Sequence, residues 1–269
     1  MSEDDWPQHQ TIDVTVATCL RDVAATRYVT PLREGGSLPG LVEADDDGLY
    51  VVKFRGAGQG TRALVAEVVA GELARALGLS IPEQVIIQID PAIGRAEPDP
   101  EIQELIVASP GCNLGVDFLP GAAAYSPATG WTVPPAIAAE VVWLDALTTN
   151  VDRTPRNPNL LLWHDRLWLI DHGAALYLQH GGLRPAEHAR QPFPQIAQHV
   201  LLPCAESIVA ADERLAPQID HALLQSIVAL IPADWLASEH RETYVEYLAR
   251  RLEAPRPFVE EAERARANA

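Results

Sequence analysis

The chain has 269 residues, 48% of them apolar, enough for one large core or for two lobes sharing a cleft. Its 20 basic and 37 acidic side chains leave a formal charge of −17, so on average the surface repels nucleic-acid backbones and anionic lipid, and neither is expected as a direct partner. No membrane span is expected either, since the uncharged run over 122–139 is interrupted by Pro127, Pro134 and Pro135.

The acidic N-terminal MSEDDWPQHQ has neither the basic nor the apolar region of a secretory signal. Cys19, Cys112 and Cys204 are odd in number and fall in no CxxC pair, which argues against a disulfide framework and a zinc cluster. A reduced, cytoplasmic protein is expected. ATRYVTPL (25–32) alternates as a strand does, EGGSLPG (34–40) reads as a glycine-rich turn, and LVEA and LYVVKF flank the Asp-Gly hairpin signal in DDDG. TRALVAEVVAGELARALG (61–78) has helical spacing in Leu64, Val65, Val68, Leu73 and Leu77, with Thr61 suited to the N-cap and Gly78 to the C′ position. EQVIIQID (83–90) and VDFL (116–119) read as further strands. Proline and glycine crowd residues 120–135, where a division between an N-lobe (1–120) and a C-lobe (121–269) is expected. From Pro134 the pattern turns helical, with Val141, Val142, Leu144 and Leu147 as core. NLLLWHDRLWLID then reads as a hairpin turning at His164-Asp165, and HALLQSIVALI and RETYVEYLARRL as later helices.

All 20 basic residues are arginine except Lys53, which lies inside an alternating strand rather than on a surface helix. A compact ammonium on a flexible stem does what a planar guanidinium cannot. Phosphoryl transfer needs such a cation on the nucleotide phosphates, an acid to hold it, a carboxylate near the nucleophile, and a second carboxylate with an amide on the metal. Lys53, Glu67, Asp152, Asn157 and Asp171 offer these in chain order. Singly, each has a plainer reading: Asp171 as a turn cap, NPN as a turn, Glu67 as a solvated helix residue with Glu72 as its rival. The histidines form no H-x-x-x-H pair, so no zinc site is expected.

The ordered set YVVKF, the glutamate of AEVVAGELARALGLSIP, DRTPRN and LIDHG resembles the HipA-like family within the protein-kinase-like superfamily, related to the phosphoinositide kinases. The resemblance covers roughly residues 23–200. It implies an α+β, two-lobed protein-kinase-like fold with a strand-rich N-lobe, a mainly helical C-lobe, and ATP and Mg²⁺ in the cleft. It implies Asp152 as catalytic base, Asn157 and Asp171 as metal ligands, Lys53 on the phosphates, and Glu67 as its partner. Arg156 is the first candidate for the γ-phosphate and Arg153 the second. Gly35, Gly36 and Ser37 lie where a phosphate-covering loop belongs, without the kinase G-x-G-x-x-G spacing. Phe118 and Leu119 fall to the nucleotide. RGAGQG (55–60) reads as a connector at the cleft mouth. His172 stands where the metal-binding triplet usually has phenylalanine.

The implied activity is phosphoryl transfer to a hydroxyl of protein serine or threonine. The implied partners are that acceptor and an antitoxin-like regulator. A small-molecule kinase of the aminoglycoside-phosphotransferase type is the first alternative. Its loop usually carries a histidine two residues before the aspartate, where this chain has Asn150. A nucleotide-binding pseudokinase serving as an interaction module is the second.

Overall fold

The computed structural model describes residues 19–32, 38–236 and 240–269. Gly35, Gly36 and Ser37 lie outside the described residues, so the phosphate-loop expectation is not addressed there.

Five strands close into a barrel: β1 (Arg21–Pro31), β2 (Gly40–Ala44), β3 (Leu49–Lys53), β4 (Gln84–Ile89) and β5 (Gly111–Asp117), in the order β1-β2-β3-β5-β4. Neighbours are antiparallel except β1 and β4. Val23, Val42, Tyr50, Val52, Val85 and Ile87 fill the interior. Successive side chains of a strand point to opposite faces. With Tyr50 and Val52 turned into the barrel, Val51 and Lys53 therefore face the other way, toward the cleft. Asp47 takes the left-handed conformation in the β2–β3 turn, and Asp46 Oδ1 accepts the Gly48 N–H at 3.0 Å, the chemistry expected of DDDG.

Helix α1 (Gly60–Ala76) is buried along most of its length. Its start differs from the expectation, because no side chain caps it and Thr61 Oγ1 instead donates to Trp235 O at 2.8 Å. The tertiary acceptor outcompetes the local one. Gly78 comes just after the helix at φ +82°, a conformation that only glycine adopts without cost. Strand β5 begins five residues earlier than the VDFL reading and ends before Phe118. The turn-like GCNLG is tolerated there because β4 pairs along all of it and β3 joins from Leu114 onward. A short helix not anticipated from sequence, α2 (Pro100–Val107), closes one end of the barrel with Ile102 and Ile106. Its signals were present: Asp99 caps it and Pro100 opens it.

The second half is built around α3 (Pro135–Thr148). Val141, Val142, Trp143, Leu144 and Leu147 are fully buried, as a helix apolar on all sides must be. Around it pack α5 (Ile208–Leu215), α7 (Arg241–Leu252) and α8 (Pro257–Ala267), with α4 (Pro185–His188) and α6 (His221–Ala229) against α7. A small sheet, β6 (Ala123–Ala124), β7 (Leu160–Trp163) and β8 (Arg166–Leu169), carries the hairpin, whose His164 and Asp165 both have positive φ, as a two-residue type I′ turn requires. Arg251, buried in α7, binds Ala146 O and Leu147 O at 2.8 Å and stacks on Phe258. It ties off the end of α3 where the polar loop begins. Among the described residues no helix is long and apolar enough to cross a membrane.

Candidate active site

Lys53 meets two carboxylates at once. Its Nζ donates to Glu67 Oε1 from α1 and, at 2.6 Å, to Asp171 Oδ1 just beyond β8. The Lys53 side chain is 12% exposed and that of Glu67 2%. Burial alone would lower the lysine pKa, but Glu67 and Asp171 together hold it above its ordinary value. Burial would likewise raise Glu67, yet Lys53 and His172 keep it well below the usual carboxylate range. His172 Nδ1 lies 3.7 Å from Glu67 Oε2, so the residue in the phenylalanine position supports the same acid. Glu72, the rival, pairs with Arg75 at 3.2 Å and is not part of the site.

The loop between α3 and β7 supplies the remaining groups. Asp152 Oδ2 accepts from Asn157 Nδ2 at 2.8 Å and from Asn159 Nδ2 at 3.4 Å. Asn159 Nδ2 also lies 3.5 Å from Asp171 O, so one amide bridges the two acidic segments. Burial and the nearby Asp171 raise the Asp152 pKa above the ordinary aspartate value, which makes it a better proton acceptor than a solvated one. Asn157 Nδ2 is thereby committed to Asp152. The amide oxygen of Asn157 and the carboxylate of Asp171 are hard oxygen donors of the kind that could hold a divalent cation such as Mg²⁺. No group of three or more His, Cys, Asp or Glu suited to a metal occurs among the described residues.

Two of the arginine expectations separate. Arg156 is exposed beside Asn157. Arg153 is 1% exposed and points into the core, where Asp145 takes its Nε at 2.5 Å. It cannot touch a phosphate in the cleft. Asp145, buried in the last turn of α3, would be costly without a cation, and Arg153 supplies it. Sequence reading missed Asp145, His199, Asn150 and Asn159 as parts of this site. The one signal was an aspartate inside the apolar run EVVWLDAL.

A cleft of about 590 Å³ opens between barrel and helices, lined by Val51, Ile81, Val116, Phe118, Leu119 and Leu169 on its apolar walls and by Lys53 and Asp171 at its polar end. The glycine-rich connector lies at that polar end: Ala57, Gln59 and Gly60 border a small recess with Lys53, Glu67 and Asp171.

The fold is that of two-lobed kinases. The chain is similar to the proinflammatory kinase CtkA of Helicobacter pylori at 15% identity, with 93% of this chain and 99% of that one covered and a TM-score of 0.54. It is similar to the Golgi casein kinase, in a structure with Mn and ADP bound, at 12% identity, with coverage of 93% and 74% and a TM-score of 0.52. Among curated proteins none matches significantly. The sequence itself matches the HipA-like kinase family over residues 26–254, and the protein belongs to that family.

Proposed function

We propose that the protein transfers the γ-phosphate of ATP to a hydroxyl, with Mg²⁺, and that the acceptor is a protein serine or threonine. The observation that carries this reading is the grip of Glu67 and Asp171 on one buried ammonium, with Asp152 joined to Asp171 through Asn159. In this reading the apolar slot takes the purine between Val51, Val116 and Leu169, with Phe118 and Leu119 along its edge. Lys53, oriented by Glu67, meets the phosphates. Asn157 and Asp171 hold the divalent cation, which when bound neutralises charge on the phosphates. Asp152 uses Oδ2 for both amides, which leaves Oδ1 for the acceptor hydroxyl. As the hydroxyl oxygen bonds to the γ-phosphorus, its proton passes to Asp152, the β–γ bridging bond breaks and ADP leaves. Arg156, exposed beside Asn157, meets the transferred group.

The ADP and Mn in the Golgi casein kinase structure support an adenine nucleotide and a divalent cation, and that enzyme's name supports a protein acceptor. We assign residues 1–120 to the lobe that covers the phosphates and 121–269 to the lobe that carries catalysis. Three unpaired cysteines support action in the cytoplasm. Incubation with γ-labelled ATP and Mg²⁺, with and without cell extract, tests the reading. Label on a protein band supports it. Label on small molecules alone overturns the acceptor class, and nucleotide binding without transfer overturns the activity.

A further inference from the structure

Asp145 is fully buried in the last turn of α3, and a lone carboxylate there costs several kcal/mol unless it is paired. It has three partners: Arg153 Nε at 2.5 Å, His199 Nε2 at 2.9 Å and Asn150 Nδ2 at 3.1 Å. His199 Nδ1 accepts the Leu201 N–H at 3.1 Å, so the ring proton sits on Nε2 and is donated to Asp145. The imidazole is therefore neutral, and burial, aided by Arg153, holds its pKa below the ordinary value against the pull of Asp145. One carboxylate and one guanidinium balance beneath the loop.

The far end of the guanidinium gives this pair a purpose. Arg153 Nη1 donates to Asn159 O and lies 3.4 Å from Ile170 O. Asn159 carries the amide that reaches Asp152 and Asp171 O, and Ile170 directly precedes Asp171. Ile170 N also donates to Asn159 O at 3.1 Å, so the two segments meet on one carbonyl that Arg153 holds. We propose that Arg153, seated on Asp145 and His199, is a positioning residue that sets the spacing between Asp152 and Asp171. This rests on the kinase reading above. A lysine at 153 keeps the ion pair with Asp145, but one ammonium cannot occupy both the Nε position against Asp145 and the Nη1 position against the Asn159 and Ile170 carbonyls. A buried pair that only stabilises the fold would tolerate that exchange at the site.

The test is Mn²⁺ titration by electron paramagnetic resonance, with a non-hydrolysable ATP analogue, on the wild type, Arg153→Lys and His199→Gln. Thermal midpoints and single-turnover rates are measured alongside. Arg153→Lys is expected to fold, to bind the analogue without metal as the wild type does, and to lose Mn²⁺ affinity and turnover by about 10–100-fold, the usual effect of removing a support behind a metal ligand. His199→Gln keeps a donor for Asp145 but loses the acceptor for Leu201, so a smaller loss of the same kind is expected. It decides the matter if Arg153→Lys does not fold. A lowered thermal midpoint with Mn²⁺ affinity within about twofold of the wild type, measured where the protein is folded, overturns the proposal. A wild type that binds Mn²⁺ and analogue but transfers nothing sinks the kinase reading alone, since the affinities still judge Arg153. A wild type that binds no Mn²⁺ sinks both.

Discussion

Replacing Lys53 by methionine removes the cation from a carboxylate whose side chain is 2% exposed. His172 Nδ1, at 3.7 Å, is left as the nearest support for Glu67. Burial, the largest influence on Glu67, then acts unopposed by the ammonium and drives its pKa up, so the cheapest response is protonation on folding. The cost of taking up that proton at pH 7 is set by the unfolded glutamate, with a pKa of about 4.3. At about 1.4 kcal/mol per pH unit this gives a loss of about 3.7 kcal/mol, shrinking to about 1 kcal/mol at pH 5. The sign comes from the proton count. In the variant the native state binds one more proton than the unfolded chain, so stability falls as pH rises. In the wild type Glu67 is ionised in both states above its unfolded pKa, and its contribution is flat between pH 5 and 8, lost only as pH falls through the depressed native value. Urea denaturation followed by far-ultraviolet circular dichroism at pH 5, 6, 7 and 8 reads the difference directly. Adding Glu67→Gln to Lys53→Met should abolish the extra pH dependence and recover most of the loss. A stability gap that is the same at pH 5 and 8, or additive losses in the double variant, would refute the claim that one buried pair organises the site.

As the sole lysine, with its pKa raised by two carboxylates, Lys53 should react with an amine-directed acylating reagent at pH 9 more slowly than a free lysine, and Asp171→Ala should speed the reaction; peptide mass mapping measures both. In calorimetric titrations Asp171→Ala should abolish the tightening of ATP binding by Mg²⁺, and an unchanged metal dependence would remove Asp171 from the ligand set. Arg251→Met should lower unfolding free energy by about 3 kcal/mol or more, because the carbonyls of Ala146 and Leu147 lose a buried charged donor, and urea midpoints will show it.

The parts of the fold governed by local rules were legible. Alternation in LYVVKF puts Lys53 on the face opposite Tyr50 and Val52, the left-handed pair His164-Asp165 turns the hairpin, and Gly78 ends α1. Tertiary competition decided what was not legible. Thr61 gives its hydroxyl to Trp235 rather than to its own helix, and GCNLG pairs as strand because β4, distant from its own local signals, supplies partners along its whole length. The spacing of Asp152 and Asn157 marked a site, but it could not say which arginine faced outward. That depended on Asp145, eight residues before Arg153 on another element, and on His199, far downstream. Separations of that kind leave no periodic trace in a sequence.

The central claim, that Asp152 receives the acceptor's proton while other residues hold the nucleotide, is tested most directly by single-turnover transfer from γ-labelled ATP in Asp152→Asn, with Mg·ATP affinity measured on the same preparation. The amide keeps the shape of the carboxylate but cannot take a proton. The account predicts affinity within a few-fold of the wild type and a rate lower by roughly 10²–10⁴, the span of a positioned general base. A rate close to the wild type's, or a loss explained wholly by weaker nucleotide binding, would contradict it.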